Sequence, residues 1–322
     1  MSNSITREEG GMSNQIKERQ ANSKMLDLMR ARSRIYSRTK YYYGAQLIVS
    51  LVLPLFGALS AGWLPGLKPY VALVALAFGL FDAALLERWQ KSRLKTAAKL
   101  QEEFDCDVLS LPWNKFLVGK KVDAEDVHKD AGVLLSPGSE NGLRDWYPEA
   151  AGELPIKMGR IICQRTNLWY DRRLRQNYNN LLLFAAILFM IVVALFSILE
   201  DPSITSFVLT VVVPASPLLA WAGREYFRQL DTVATLENLK DESEKLWEQA
   251  LQSYGDDELD VSSRALQNAI YSHRVSSPII FDFIYKKMRG GLEKQMNHAA
   301  REWVDKAKGA LAENFCDKSS SV

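Results

Sequence analysis

Residues 181–199 read LLLFAAILFMIVVALFSIL, nineteen positions without one ionisable side chain. As a helix rising about 1.5 Å per residue, such a run covers close to the roughly 30 Å of a bilayer's hydrocarbon core. It keeps no polar face at the helical period, as a two-sided helix of a water-soluble bundle would. The run therefore reads as a transmembrane helix.

Working outward, three more blocks free of Asp, Glu, Lys and Arg appear. Pro202–Gly223 has 22 such residues, the stretch between Lys40 and Lys68 has 27, and the stretch between Lys68 and Asp82 has 13. Admitting Asp82 extends the last block to Leu86 and 18 residues. The blocks predict spans over about 45–64, 69–86, 181–199 and 204–222, paired as hairpins 41–86 and 181–223. Forty mostly polar residues precede the first span, so it does not read as a cleavable signal.

Flanking charge sets the expected orientation. Lys24–Lys40 carries six Lys or Arg against one Asp, Arg88–Lys99 carries five basic residues, and Arg172–Arg175 carries three. The two short connectors hold Lys68 on one side and Glu200 with Asp201 on the other. Positive residues stay on the cytoplasmic side, which predicts a multi-pass inner-membrane protein with both termini cytoplasmic. Its domains are then a basic helix over 1–40, the first hairpin, a cytoplasmic insert over 87–180, the second hairpin and a helical tail over 224–322. The expected fold class is all-α, with a lipid bilayer as partner and at most a small strand, because FDCDVLSL (104–111) alternates weakly at period 2. Pro137, Gly138, Gly142, Pro148, Gly152 and Pro155 predict loops after it.

Composition restricts the chemistry. The chain has 322 residues, 40 Lys and Arg against 38 Asp and Glu, and three scattered cysteines. This excludes a strongly basic nucleic-acid binder, so no DNA or RNA partner is expected, and also a disulfide-stapled domain. No phosphate loop, G-x-G-x-x-G, H-E-x-x-H or G-x-S-x-G is present, so no catalytic residue, cofactor or metal is assigned. His128, His273 and His298 lie far apart and read as solvated side chains.

Two clusters remain. Asp82 is the one ionisable residue inside an expected span, beside the small-residue ladder Ala75, Gly79 and Ala83. It suits either a pore-lining group or a carboxylate paired with Arg88 at the interface. Before the third span, Arg165, Trp169 and Arg173 recur at i, i+4 and i+8 with Arg160 nearby. Guanidinium suits phosphate and indole suits a base, although a basic, aromatic membrane edge needs the same residues. After the fourth span, Leu236, Leu239, Ser243, Leu246 and Ala250 form a seam suited to a coiled-coil contact. Ser277 with Pro278 predicts a helix start, followed by an apolar stripe from Phe281 to Trp303 that Gly290 and Gly291 are expected to bend.

FDCDVLSLPWNKF, RDWYPEAAGELP, ICQRTNLWYDRRLRQNY, LQNAIYSHR and FDFIYKKMRGGLEKQMNHAAREWV, in this order around two pairs of spans, resemble the SMODS-associating four-transmembrane effector family. The resemblance covers about residues 20–305. It implies a bacterial antiphage effector, responding to a cyclic oligonucleotide from a partner nucleotidyltransferase, that homo-oligomerises and permeabilises the inner membrane. It carries over no ligand residues. The alternative reading is a membrane-tethered receptor or scaffold that recruits a cytoplasmic partner without forming a pore.

Overall fold

The computed structural model describes residues 13–63, 66, 68–132, 141–200, 203–252 and 257–320. The side chains of Pro54, Asp82, Ala83, Thr210 and Pro214, and all of Pro137 and Gly138, lie outside the described residues.

Long rods dominate the architecture. After a short α1 (Ile16–Gln20), α2 runs over Ser23–Trp63, joining the basic N-terminal stretch to the first apolar block in one helix. α3 (Lys68–Phe81) continues through a π turn (Asp82–Leu86) into α4 (Glu87–Val108). Three short helices follow, α5 (Lys115–Val118), α6 (Ala124–Ala131) and α7 (Asn141–Arg144), then a 3-10 turn over Glu149–Glu153. α8 spans Ile156–Glu200. α9 (Ile204–Phe207) and a π turn (Val208–Val212) lead into α10 (Val213–Gln252), followed by α11 (Glu258–Ser276) and α12 (Asp282–Ser320).

These lengths follow from the absence of breakers where charged and apolar sequence meet. α8 has 45 residues, about 68 Å at helical rise, more than twice a hydrocarbon core. The π turn over Val208–Val212 ends two positions before Pro214, a residue with no backbone N–H to give to an ordinary helical turn.

Among the described residues, two helices are long and apolar enough to cross a membrane, Pro69–Val108 and Ile156–Leu195. Their apolar stretches are 0% and 11% buried, so Leu73, Leu76, Leu80, Phe184, Ile187 and Val192 present bare hydrocarbon outward. Exposed apolar area of this extent calls for lipid or a partner.

The polar halves of the rods pack into a helical layer with one main core. α2 contributes Met25, Met29 and Ile35, α4 contributes Leu100, Phe104 and Val108, and α8 contributes Met158, Ile161 and Ile162. Trp247 of α10 and Ala300, Val304 and Ala307 of α12 close the core.

Several sequence expectations are corrected by this packing. No strand occurs among the described residues, and 104–108 is the last turn of α4. α4 is enclosed on all sides there: Leu100 through Cys106 are all buried, which erases the one-sided helical pattern. Leu109 then caps the helix, and Ser110 takes a left-handed φ of 54° that ends it before Pro112. Gly142 and Gly152 lie in α7 and the 3-10 turn rather than in open loops. The helix expected at Ser277 begins at Asp282: Ser277 is extended ahead of Pro278, and residues 277–281 form a connector without regular structure. α12 runs through Gly290 and Gly291, so the glycines do not end the helix. The seam of Leu236, Leu239 and Leu246 packs within the chain against Leu168, Leu266 and Ile270, so it is not free to join a second copy.

Gly159, in the first turn of α8, marks the closest backbone approach. An added Cβ would lie 2.5 Å from the Ala151 carbonyl oxygen and 2.5 Å from Asn14 Nδ2, while that same Asn14 amide donates to Ala151 O and Leu154 O at 2.7 Å each. Gly159→Ala should therefore cost about 1–3 kcal/mol through overpacking. A thermal melt of the full chain in detergent checks this, and an unchanged midpoint would show that the 3-10 turn yields freely.

Candidate functional site in the polar layer

The helical layer has an ionic heart that apolar packing alone would not need. Glu102 and Asp105 project from α4, both 0% exposed. They meet α11: Arg264 donates to Glu102 at 2.6 Å, Arg274 donates to Asp105 at 2.5 Å, and Gln267 Nε2 donates to both carboxylates at 2.9 Å. Tyr147 Oη donates to Asp105 at 2.7 Å and accepts from Asn167 of α8 at 3.0 Å. Gln164, also on α8, donates to Ser263 O at 2.9 Å and accepts from the Ser263 hydroxyl at 3.0 Å. Burial, reinforced by Asp105, raises the Glu102 carboxyl above its ordinary value against the opposing pull of Arg264 and Gln267. Burial would weaken Arg274's hold on its proton, but Asp105 beside it more than offsets this, and the guanidinium stays charged. The adjacent Cys106 thiol is pushed up to about 12 by burial and Glu102, so it is not a reactive thiolate.

A second network sits where the rods turn apolar. Arg175 of α8, 6% exposed, donates from Nε to both oxygens of Asp171 at 3.1 Å. Its Nη1 donates to Gln229 of α10 and to the Pro278 carbonyl of the connector, each at 3.0 Å. Gln229 in turn donates to buried Glu225 at 2.7 Å. His273 Nε2 lies 3.2 Å from Asp171 and 2.9 Å from the Ser277 hydroxyl. Burial would raise the Asp171 carboxyl, yet Arg175 and His273 hold it below the usual carboxylate range. Past the connector, Lys40 donates to Asp282 at 2.7 Å and the Phe281 ring stacks on Tyr43 with centroids 5.7 Å apart. Residues 277–282 thus contact α2 and α8 beside their apolar segments, and Arg175 links them to α10.

Arg160, Arg165, Trp169 and Arg173 share α8 but do not converge on one cavity. Arg160, 4% exposed, donates to Leu109 O, Ser110 O and Asp260 at 2.8, 3.2 and 2.6 Å. Arg165 donates to Glu244 at 2.9 Å and lies over the Trp303 ring at 4.1 Å. Trp169 packs on the cluster of Leu174, Tyr178, Ile280 and Ile284. Only Arg173 faces outward, touching Gln176 at 3.3 Å. Ala75 and Gly79 lie on α3, and nothing stands within 4 Å of a Cβ added at Gly79. Ala83 and Asp82 belong by backbone to the π turn.

His273 corrects its expectation, since it is 8% exposed and paired rather than solvated. Its partner Asp171 lies 102 residues away in sequence, beyond any local pattern. Glu102 and Asp105 left one usable signal: two carboxylates a helical turn apart beside Leu100, Phe104 and Cys106.

A cavity of about 430 Å³ borders the junction network, lined by Arg228, Thr232, His273, Ser276 and Ser277 among others. Thr232, Ser276 and Ser277 already donate their hydroxyls to backbone carbonyls, and Arg228 is paired with Glu225 at 2.5 Å. The remaining lone pairs suit a donor-bearing ligand better than an anion.

Rods with a bare apolar half and an ion-paired polar half define a helical membrane protein whose polar layer is wired to its apolar segments. Residues 14–303 match the SMODS-associating 4TM effector domain, and the chain belongs to that family. A protein of Bacillus cereus (strain VD146), described as a probable CBASS effector molecule, is 24% identical over 301 residues, covering 90% of this chain and 94% of its own length. No solved structure matches the chain.

Proposed function

We propose that this chain is a non-enzymatic membrane effector of bacterial antiphage defence, which homo-oligomerises and permeabilises the inner membrane when a cyclic oligonucleotide arrives from a partner nucleotidyltransferase. Family membership and the CBASS effector relative support the defence role. The observation that carries the mechanism is the continuity of α2, α3–α4, α8 and α10, each of which leads from ionic packing into an apolar segment. A shift at Glu102, Asp105 or Arg175 is thereby transmitted along a rigid helix rather than lost in a linker.

In this reading the four apolar blocks are spans and both termini are cytoplasmic, consistent with the basic flanks at Lys24–Lys40 and Arg88–Lys99. The open face at Gly79 supports close approach by a second copy, with Ala75, Asp82 and Ala83 in or beside that contact. A single chain's apolar faces enclose no aqueous path, so conduction belongs to an oligomer.

Dye-loaded vesicles of phosphatidylethanolamine and phosphatidylglycerol carrying the full chain test this reading. Cyclic di- and trinucleotides, added as a panel, should release dye with at least one member, with the protein crosslinking as oligomers in the same samples. Intact vesicles across the panel, together with capture of a cytoplasmic partner, would instead establish the tethered-scaffold reading.

A further inference from the structure

α2 and α4 leave the apolar region side by side, and α6 lies across them. Between the three is a cavity of about 300 Å³, lined in part by Arg38 of α2, Trp89 and Arg93 of α4, and Asp126, Lys129 and Asp130 of α6. Its charge is arranged rather than diffuse. Asp130 is held between Arg93, at 3.2 Å, and Arg34, at 3.9 Å, which fixes the Arg93 fork at the cavity wall. Arg38 and Lys129 line the same cavity, are exposed, and have no ion pair among the described residues. Three cations thus face two carboxylates, and one of those carboxylates is already shared by two arginines.

The cavity also has an aromatic wall. Trp89 is 37% exposed and braced edge-on by Tyr42 at 5.2 Å between centroids, so its orientation is set before any ligand arrives. Unpaired cations beside a braced indole favour a phosphate carried on a flat or greasy group. A volume of about 300 Å³ is at the small end for ligand pockets, enough for one phosphorylated nucleoside or one lipid headgroup. None of α6 is fully buried, but Val127 and Ala131 pack on the main core and Asp130 pairs with Arg93 and Arg34, so the wall that carries Lys129 is held in place. The cavity bordering His273 is less suited to an anion, because its one arginine is already paired.

The geometry points to the cleft between α2, α4 and α6 as a phosphodiester-binding site, with Arg38 and Lys129 as its anion contacts, Arg93 held beside them by Asp130, and Trp89 as its stacking wall. This deepens the reading of a cyclic-oligonucleotide effector and rests on it for biological purpose, while the chemistry of the cleft stands by itself. The same phosphodiester chemistry is presented by a dissolved cyclic nucleotide and by an anionic lipid headgroup at the rim where α2 and α4 become apolar.

The full chain in nanodiscs separates the sources. Binding of cyclic di-adenylate and cyclic tri-adenylate is measured by equilibrium dialysis in phosphatidylcholine discs. Retention of phosphatidylglycerol is measured by native mass spectrometry in discs that contain it. Arg38→Gln with Lys129→Gln should weaken whichever ligand binds at least tenfold, while Arg173→Gln, on the exposed face of α8, leaves it unchanged. Both altered positions are exposed and unpaired, so the melting midpoint should match that of the parent. A tenfold loss of nucleotide binding supports the site with a soluble ligand, and a tenfold loss of lipid retention supports it with a headgroup. Both affinities unchanged in the double variant, no binding by any probe, or loss in Arg173→Gln alone overturns the site. Dye release is read separately, so a silent cleft in a leaking protein sinks this site and leaves the effector reading intact.

Discussion

Asp105→Ala destabilises the helical layer by about 3–5 kcal/mol, the scale for removing one partner of a buried ion pair. The loss follows from what remains. Arg274, paired at 2.5 Å, keeps a buried charge without its counterion, and Tyr147 and Gln267 lose acceptors at 2.7 and 2.9 Å. A buried donor without a partner costs its full desolvation, whereas the net gain from making the bond is small. The thermal midpoint of the full chain in detergent should fall by roughly 10 °C. Asp105→Asn should fall less, since its carbonyl can still accept from Tyr147. In Asp105→Ala with Arg274→Ala the losses should be clearly less than additive, because the second change removes the stranded charge. A midpoint within a degree of the parent in Asp105→Ala would mean that water reaches this network freely.

Arg175→Ala is expected to abolish activated dye release while also costing about 3 kcal/mol for a buried charged partner. One guanidinium joins Asp171, Gln229 and the Pro278 carbonyl, and so joins α8 to α10 and the connector. Arg175→Lys should not restore release, because a single ammonium cannot span acceptors set in a planar fork. The pH dependence has a definite sign. The Asp171 carboxyl is held low in the folded chain, so its contribution is complete above the ordinary carboxylate range and fades as pH falls through the lowered value. Without Arg175 that value rises, and acid-induced unfolding should begin at a higher pH. Full dye release by Arg175→Ala, at a temperature where it remains folded, would disconnect this junction from the membrane response.

The rods were legible because no breaker separates the charged stretch ending at Arg175 from LLLFAAILFMIVVALFSIL, and local continuity suffices to extend a helix. The end of α4 was not legible in the same way. Residues 104–108 alternate weakly in hydropathy, but their environment is two-sided, and Glu102 with Asp105 is neutralised by arginines 162 and 169 positions away. The basic cluster on α8 was correctly placed on one helix, yet its spacing did not reveal Asp260, Glu244 and Trp303, which occupy Arg160 and Arg165 from other helices.

Sequence alone therefore determined the helical character, the apolar blocks and the family resemblance, since bilayer thickness and helical rise act on contiguous residues. Tertiary structure alone decided which charges are buried, which are paired and which stay open to a ligand. The physical reason is range: rise and burial length are local quantities, whereas an ion pair is made by whichever residues the fold brings within about 4 Å. Arg160 and Arg38 look alike in a list of basic residues. Packing buries the first against Asp260 and leaves the second at the mouth of a cleft.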